Sequence, residues 1–115
     1  MDSDTSQDWA PDACTLSPTE RLTRAEEFGQ LFAETARKAE RPEPTRLRLE
    51  LAPGPGPVTR VAALAAAETE CCSFFTFTMT VAAGRLLLDV EVPAAQIAVL
   101  DGLAQHAAAS MSPAY

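Results

Sequence analysis

The sequence predicts an α+β fold in the order α-β-α-β-β-α, and three observations carry that prediction. Leu47, Leu49 and Leu51 alternate with Arg46, Arg48 and Glu50, as on a strand with one wet face. Val58, Val61, Ala62, Leu64 and Ala65 recur at helical spacing, then give way to Phe75, Phe77, Met79 and Val81 alternating with Thr76, Thr78 and Thr80. Ser17-Pro18-Thr19-Glu20 carries the signals of a helix start, with a capping serine, proline at the first helical position and a glutamate three residues after the cap.

Taken in order, residues 1–13 are acidic and polar, and read as a flexible arm in which Trp9 is the one large apolar group. A single domain spans 14–111, and residues 112–115 form a tail. The first helix is expected from Ser17 to about Glu40. Leu22, Ala25, Phe28, Leu31, Phe32 and Ala36 line its inner face, Glu20–Arg24 and Glu34–Lys38 form i,i+4 pairs, and Pro42 and Pro44 close it.

The first strand, Thr45 to Ala52, runs into the stiff turn Pro53-Gly54-Pro55-Gly56-Pro57, and Pro57 opens a helix reaching Glu70 or Cys72. The second strand covers Phe74 to Val81, and Ala82-Ala83-Gly84-Arg85 is a hairpin turn with Gly84 free to take positive φ. The third strand, Leu86 to Val92, turns Leu86, Leu88, Val90 and Val92 inward. A last helix, about Ala94 to Ala109, buries Ile97, Leu100, Leu103, Ala104 and Ala107. A right-handed β-α-β crossover with the hairpin strand in its gap gives a three-stranded mixed sheet in the order first-third-second. This split β-α-β places the helices on one face. Its two open edges invite a homodimer.

With 115 residues the chain can bury a core without disulfides. Its net charge of -7 argues against nucleic acid and against anionic lipid. Neither the acidic start nor the uncharged run Cys71 to Gly84 reads as a signal or membrane span, so the expected location is the reducing cytoplasm, where cysteines persist as thiols.

Chemistry concentrates where the middle helix meets the second strand, at Glu68-Thr69-Glu70-Cys71-Cys72-Ser73-Phe74. Adjacent Cα atoms lie about 3.8 Å apart, below the roughly 4.4–6.8 Å of ordinary disulfides, so Cys71 and Cys72 are not expected to bridge each other. Two adjacent sulfurs at a corner can share a large soft cation such as mercury(II), arsenic(III) or copper(I). Glu68, Glu70 and the helix C-terminus oppose a thiolate but favour a bound cation. Cys14 lies near the N-terminus of the first helix and is expected to close over the pair, giving a metal site of Cys14, Cys71 and Cys72 with Trp9 or Phe74 as a lid. Zinc normally takes four protein ligands at a structural site, and with His106 well down the last helix an internal four-ligand zinc site is not the expected one.

Other readings stay open. One is a thiol-dependent redox or lyase-type enzyme with Cys14 as nucleophile and the pair as resolving thiols. Another is an interaction domain in which the cysteines are packing, as buried cysteines often are. His106 reads as a surface or interface residue, the phenylalanines as core, and Glu68 and Glu70 as solvated charges. A single histidine nearly excludes the usual hydrolytic triads.

Glu70-Cys71-Cys72-Ser73-Phe74-Phe75-Thr76-Phe77 resembles the E-C-C-x-F-x-x-F corner of small bacterial proteins and fused domains that accompany heavy-metal-responsive regulators, including the mercury-responsive MerR class. Ala13-Cys14-Thr15-Leu16 is similar to their N-terminal Cys-Thr-Leu start. The resemblance, from Cys14 to Leu103, implies a soft-metal or thiol site at Cys14, Cys71 and Cys72 and a place in heavy-metal resistance. The chain lacks the basic helix-turn-helix of a regulator, which favours sequestration, delivery, or accessory sensing through a regulator partner.

Overall fold

The structure, a computed structural model, describes residues 18–111, with side chains from Thr23 onward. The element order is α1 (Pro18–Thr35), β1 (Ala36–Glu43), β2 (Arg46–Leu51), α2 (Pro55–Cys71), β3 (Thr76–Ala82), β4 (Arg85–Glu91), a 3-10 turn (Ala94–Gln96) and α3 (Ile97–Ser110). The α+β class is as the sequence predicts. The sheet has four strands in the order β1-β2-β4-β3, and every neighbouring pair is antiparallel. The three expected strands keep their expected order, but the sheet is not mixed, because β4 separates the parallel β2 and β3.

The extra strand, β1, corrects the expected length of the first helix. Ala36-Arg37-Lys38-Ala39-Glu40 has helix-forming residues, yet it pairs along the open edge of β2, and tertiary pairing overrides a weak local preference. The helix stops at Thr35. Its hydroxyl bonds back to the Leu31 carbonyl at 2.6 Å, and its own carbonyl accepts the Ala52 N–H at 2.7 Å. Pro42 is tolerated because β1 is an edge strand. The expected Glu34–Lys38 pair is absent: Glu34 binds Arg60 at 2.6 Å and Lys38 binds Glu40 at 3.0 Å.

Two further boundaries move. Helix α2 starts at Pro55 rather than Pro57, since both prolines fit a first turn whose N–H groups need no partner. Gly54 precedes it at φ 125, a conformation that a side chain would strain. The β3–β4 turn places Ala83 at φ 53 and Gly84 at φ 73, the two positive values of a tight hairpin turn whose twist matches the strands.

One core serves all the described elements. Leu47, Leu49, Leu51, Leu86, Leu88 and Val90 fill the inner sheet face against Phe28, Leu31 and Phe32 of α1, Val61 of α2, and Val99, Leu100 and Ala107 of α3. Val99 joins this core unexpectedly, while Ala25 and Ala62 are exposed. The other sheet face carries ion pairs between neighbouring strands: Arg46–Glu91 at 2.9 Å, Arg48–Asp89 at 2.8 Å and Arg85–Glu50 at 3.0 Å. No described helix is long and apolar enough to cross a membrane.

Candidate functional site: the thiol corner

Helix α2 delivers the two neighbouring cysteines. Cys71 is its last residue and Cys72 its cap, with the Cys72 N–H bonded to the Glu68 carbonyl at 2.7 Å. The chain then turns, the Phe75 N–H donating to the Cys72 carbonyl at 3.3 Å, and enters β3. Neighbouring residues at a helix end point in different directions. Cys72 enters the core at 3% exposure, whereas Cys71 stays half-buried at the surface. Behind the turn Phe74, Phe75 and Phe77 form a run of ring contacts, with centroids 4.7 and 5.4 Å apart, and Phe75 is buried. The phenylalanines are core packing, and Phe74 belongs to that core rather than forming a free lid.

The sulfurs differ in state as well as burial. Cys71 is not in a disulfide, and Cys72 is disulfide-bonded. The pair does not bridge itself, as its short spacing requires, but the expectation of three free thiols is corrected. An odd count excludes a full set of disulfides while allowing one bridge and one remaining thiol. Cys14, Trp9, the Ser17 cap and the side chains of Glu20 and Leu22 lie outside the described residues. Among the described residues no group of three or more His, Cys, Asp or Glu could hold a metal ion.

One charged pair reaches the corner from across the helices. Arg24 of α1 donates to Glu68 Oε1 at 2.8 Å, and the same guanidinium hydrogen-bonds the Cys71 side chain. Glu68 is buried, which corrects the expectation of a solvated charge, whereas Glu70 is exposed. Burial pushes the Glu68 carboxyl above its ordinary range, and the Arg24 contact only partly offsets this. For Arg24 burial is the largest single influence and weakens the proton's hold, but Glu68 and Cys71 together outweigh it, so the guanidinium is held charged more firmly than in water. The Glu68 direction decides the energetics, because a carboxylate this enclosed loses more hydration than one ion pair returns. The corner therefore sets a guanidinium, a buried carboxyl and a half-buried sulfur side by side.

His106 lies elsewhere. Its Nε2 is 2.8 Å from the Ala25 carbonyl, its ring meets Phe32 edge-on, and Gly29 leaves it room, so it ties α3 to α1. A cleft of about 470 Å³ beside it is lined by Thr23, Ala25, Glu26, Glu27, Gly29, Gln30 and His106, and a smaller one of about 180 Å³ lies on the charged sheet face among Lys38, Glu40, Arg48, Glu50, Arg85 and Leu87. No cysteine lines either cleft.

Compared with family models, curated proteins and solved structures, the chain matches none. The corner's chemistry therefore rests on its own geometry.

Proposed function

We propose that the corner is a thiol–disulfide exchange site, with Cys71 as the exchanging thiol, Cys72 as the protected sulfur and Arg24 as the neighbour that orients the Cys71 side chain. The observation that carries this is the difference between neighbours: a half-exposed sulfur outside any disulfide, beside a buried sulfur already in one. The exchange reading pairs Cys72 with Cys14, the remaining cysteine of the three in the chain.

Burial shields Cys72 from an outside reductant, and Cys71 supplies the route. The Cys71 thiolate attacks the Cys14 sulfur, a Cys71–Cys14 bond forms, and Cys72 leaves as a thiolate that takes up a proton. An external dithiol then attacks the half-exposed Cys71 sulfur and releases Cys14 as a thiol. Its second sulfur closes an external disulfide and frees Cys71. Two electrons pass from the external dithiol to the protein's disulfide, and run backward the steps oxidise a dithiol partner.

A second reading applies to the reduced form, in which Cys14, Cys71 and Cys72 together bind a soft cation of the mercury(II), arsenic(III) or copper(I) class for sequestration or delivery. Adjacent sulfurs at a helix-to-strand corner favour it, as does the likeness to the E-C-C-x-F proteins of heavy-metal systems. Disulfide formation at Cys72 then switches cation binding off.

The test is the reduction rate of the disulfide by a small dithiol in wild type and Cys71→Ser. The variant should reduce about tenfold more slowly when native, and at the wild-type rate in denaturant, where access no longer matters. Equal native rates overturn the exchange role. Reduced protein mixed with one equivalent of mercury(II) should gain one metal by native mass spectrometry and lose it on Cys71→Ala, and an unchanged mass in both rejects the cation reading.

A further inference from the structure

We propose that β3 is a homodimer interface, pairing antiparallel with β3 of a second copy to make one eight-stranded sheet. The two edges of the sheet are treated differently. β1 carries Arg37, Lys38, Glu40, Arg41 and Glu43 along with Pro42, and its register with β2 is irregular at two places. Charges, proline and irregular pairing are the devices that stop edge strands from adding further strands. β3, Thr76-Phe77-Thr78-Met79-Thr80-Val81-Ala82, has none of them, and it pairs in unbroken register with β4 alone among the described residues.

Charge selects the occupant. The chain carries a net -7, so two copies repel over most approaches. The β3 edge is an uncharged strip along which they can meet without that cost, and it offers nothing to attract a basic or acidic partner.

The sequence of β3 also complements itself. A two-fold axis through Met79 places Phe77 opposite Val81 of the second copy and Thr78 opposite its Thr80. Faces are then preserved, because the shift keeps the two-residue period. Among the described residues Val81 is the large apolar one left most open, at 63% exposure, and this register covers it with an aromatic ring. Thr76 falls opposite Ala82, so the two thiol corners sit at opposite ends of the shared strand pair, about 20 Å apart at roughly 3.4 Å per residue. Each corner therefore keeps its own access to solvent.

Sedimentation equilibrium under reducing conditions, which remove intermolecular disulfides, tests this with wild type, Val81→Lys and Thr78→Lys. Wild type should approach twice 12.2 kDa as concentration rises. Both lysine variants should remain at 12.2 kDa with unchanged circular dichroism, since both positions are exposed and the fold does not depend on them. A wild type that stays monomeric at every concentration overturns the proposal, and so does a dimer that survives both lysines. If instead a monomer shows slowly exchanging β3 amides that speed up when residues 1–13 are deleted, the chain's own arm occupies the edge and the second copy does not.

Discussion

Replacing Arg24 with methionine separates the two tasks of its guanidinium, because the apolar stem remains while the charge goes. Glu68 is then buried without its partner. Removing one member of a fully buried ion pair costs about 3–5 kcal/mol, and a surface pair contributes at most about 1 kcal/mol. The Arg24 and Glu68 side chains are 17% and 12% exposed, so the pair lies nearer the buried limit. An expected cost near neutral pH is about 2–3 kcal/mol. A ceiling exists, because Glu68 can take up a proton instead, at about 1.4 kcal/mol per pH unit above its ordinary value of 4.5.

The pH dependence follows from the sign of that shift. The folded pKa of Glu68 is raised above 4.5, so its contribution is fully present below 4.5 and is lost as pH rises through the folded value. Without Arg24 the folded value rises further, and the loss becomes larger and extends to higher pH. The penalty of Arg24→Met should therefore be small near about pH 5 and grow towards about pH 7. Urea denaturation followed by circular dichroism reads it, and Arg24→Met combined with Glu68→Gln should recover more than half of the loss. A cost below about 0.5 kcal/mol near neutrality, or one that does not change with pH, refutes the argument.

Two other substitutions probe the scaffold. Ala83→Asn relieves an alanine held at φ 53 by a residue that tolerates positive φ, and should raise stability by about 0.5–1 kcal/mol in thermal denaturation, where a loss contradicts it. His106→Ala removes the link to the Ala25 carbonyl and should cost about 1 kcal/mol by chemical denaturation, where no change would mean that α3 is held to α1 by apolar packing alone.

Residues facing a core on one side were legible before any coordinates. Leu47, Leu49 and Leu51 and their partners Leu86, Leu88 and Val90 announce their strands by period, and the change of period at Glu68–Phe77 marks the corner. Strand β1 was not legible because nearly all of it is exposed, so no alternation separates it from a solvated helix end. Val81 alternates like a core residue but lies near the end of an edge strand, where period says nothing about cover.

At the site, neighbouring cysteines and the barrier to their bridging were readable, whereas their unequal burial and oxidation were not. The pair Arg24–Glu68 had a signal that went unread. Arg24 sits one turn before Phe28, and Glu68 follows Val61 and Leu64 at helical spacing. Opposite charges at core-facing positions of two helices are the pattern that a long-range pair leaves in a sequence.

The central claim is that neighbouring sulfurs have been given different work, and a mass map of the native, unreduced protein after brief alkylation tests it most directly. The account predicts a single label on Cys71 and a peptide pair joined through Cys14 and Cys72. Labels distributed equally over all three cysteines, or a label on Cys72 with Cys71 unmodified, would contradict it.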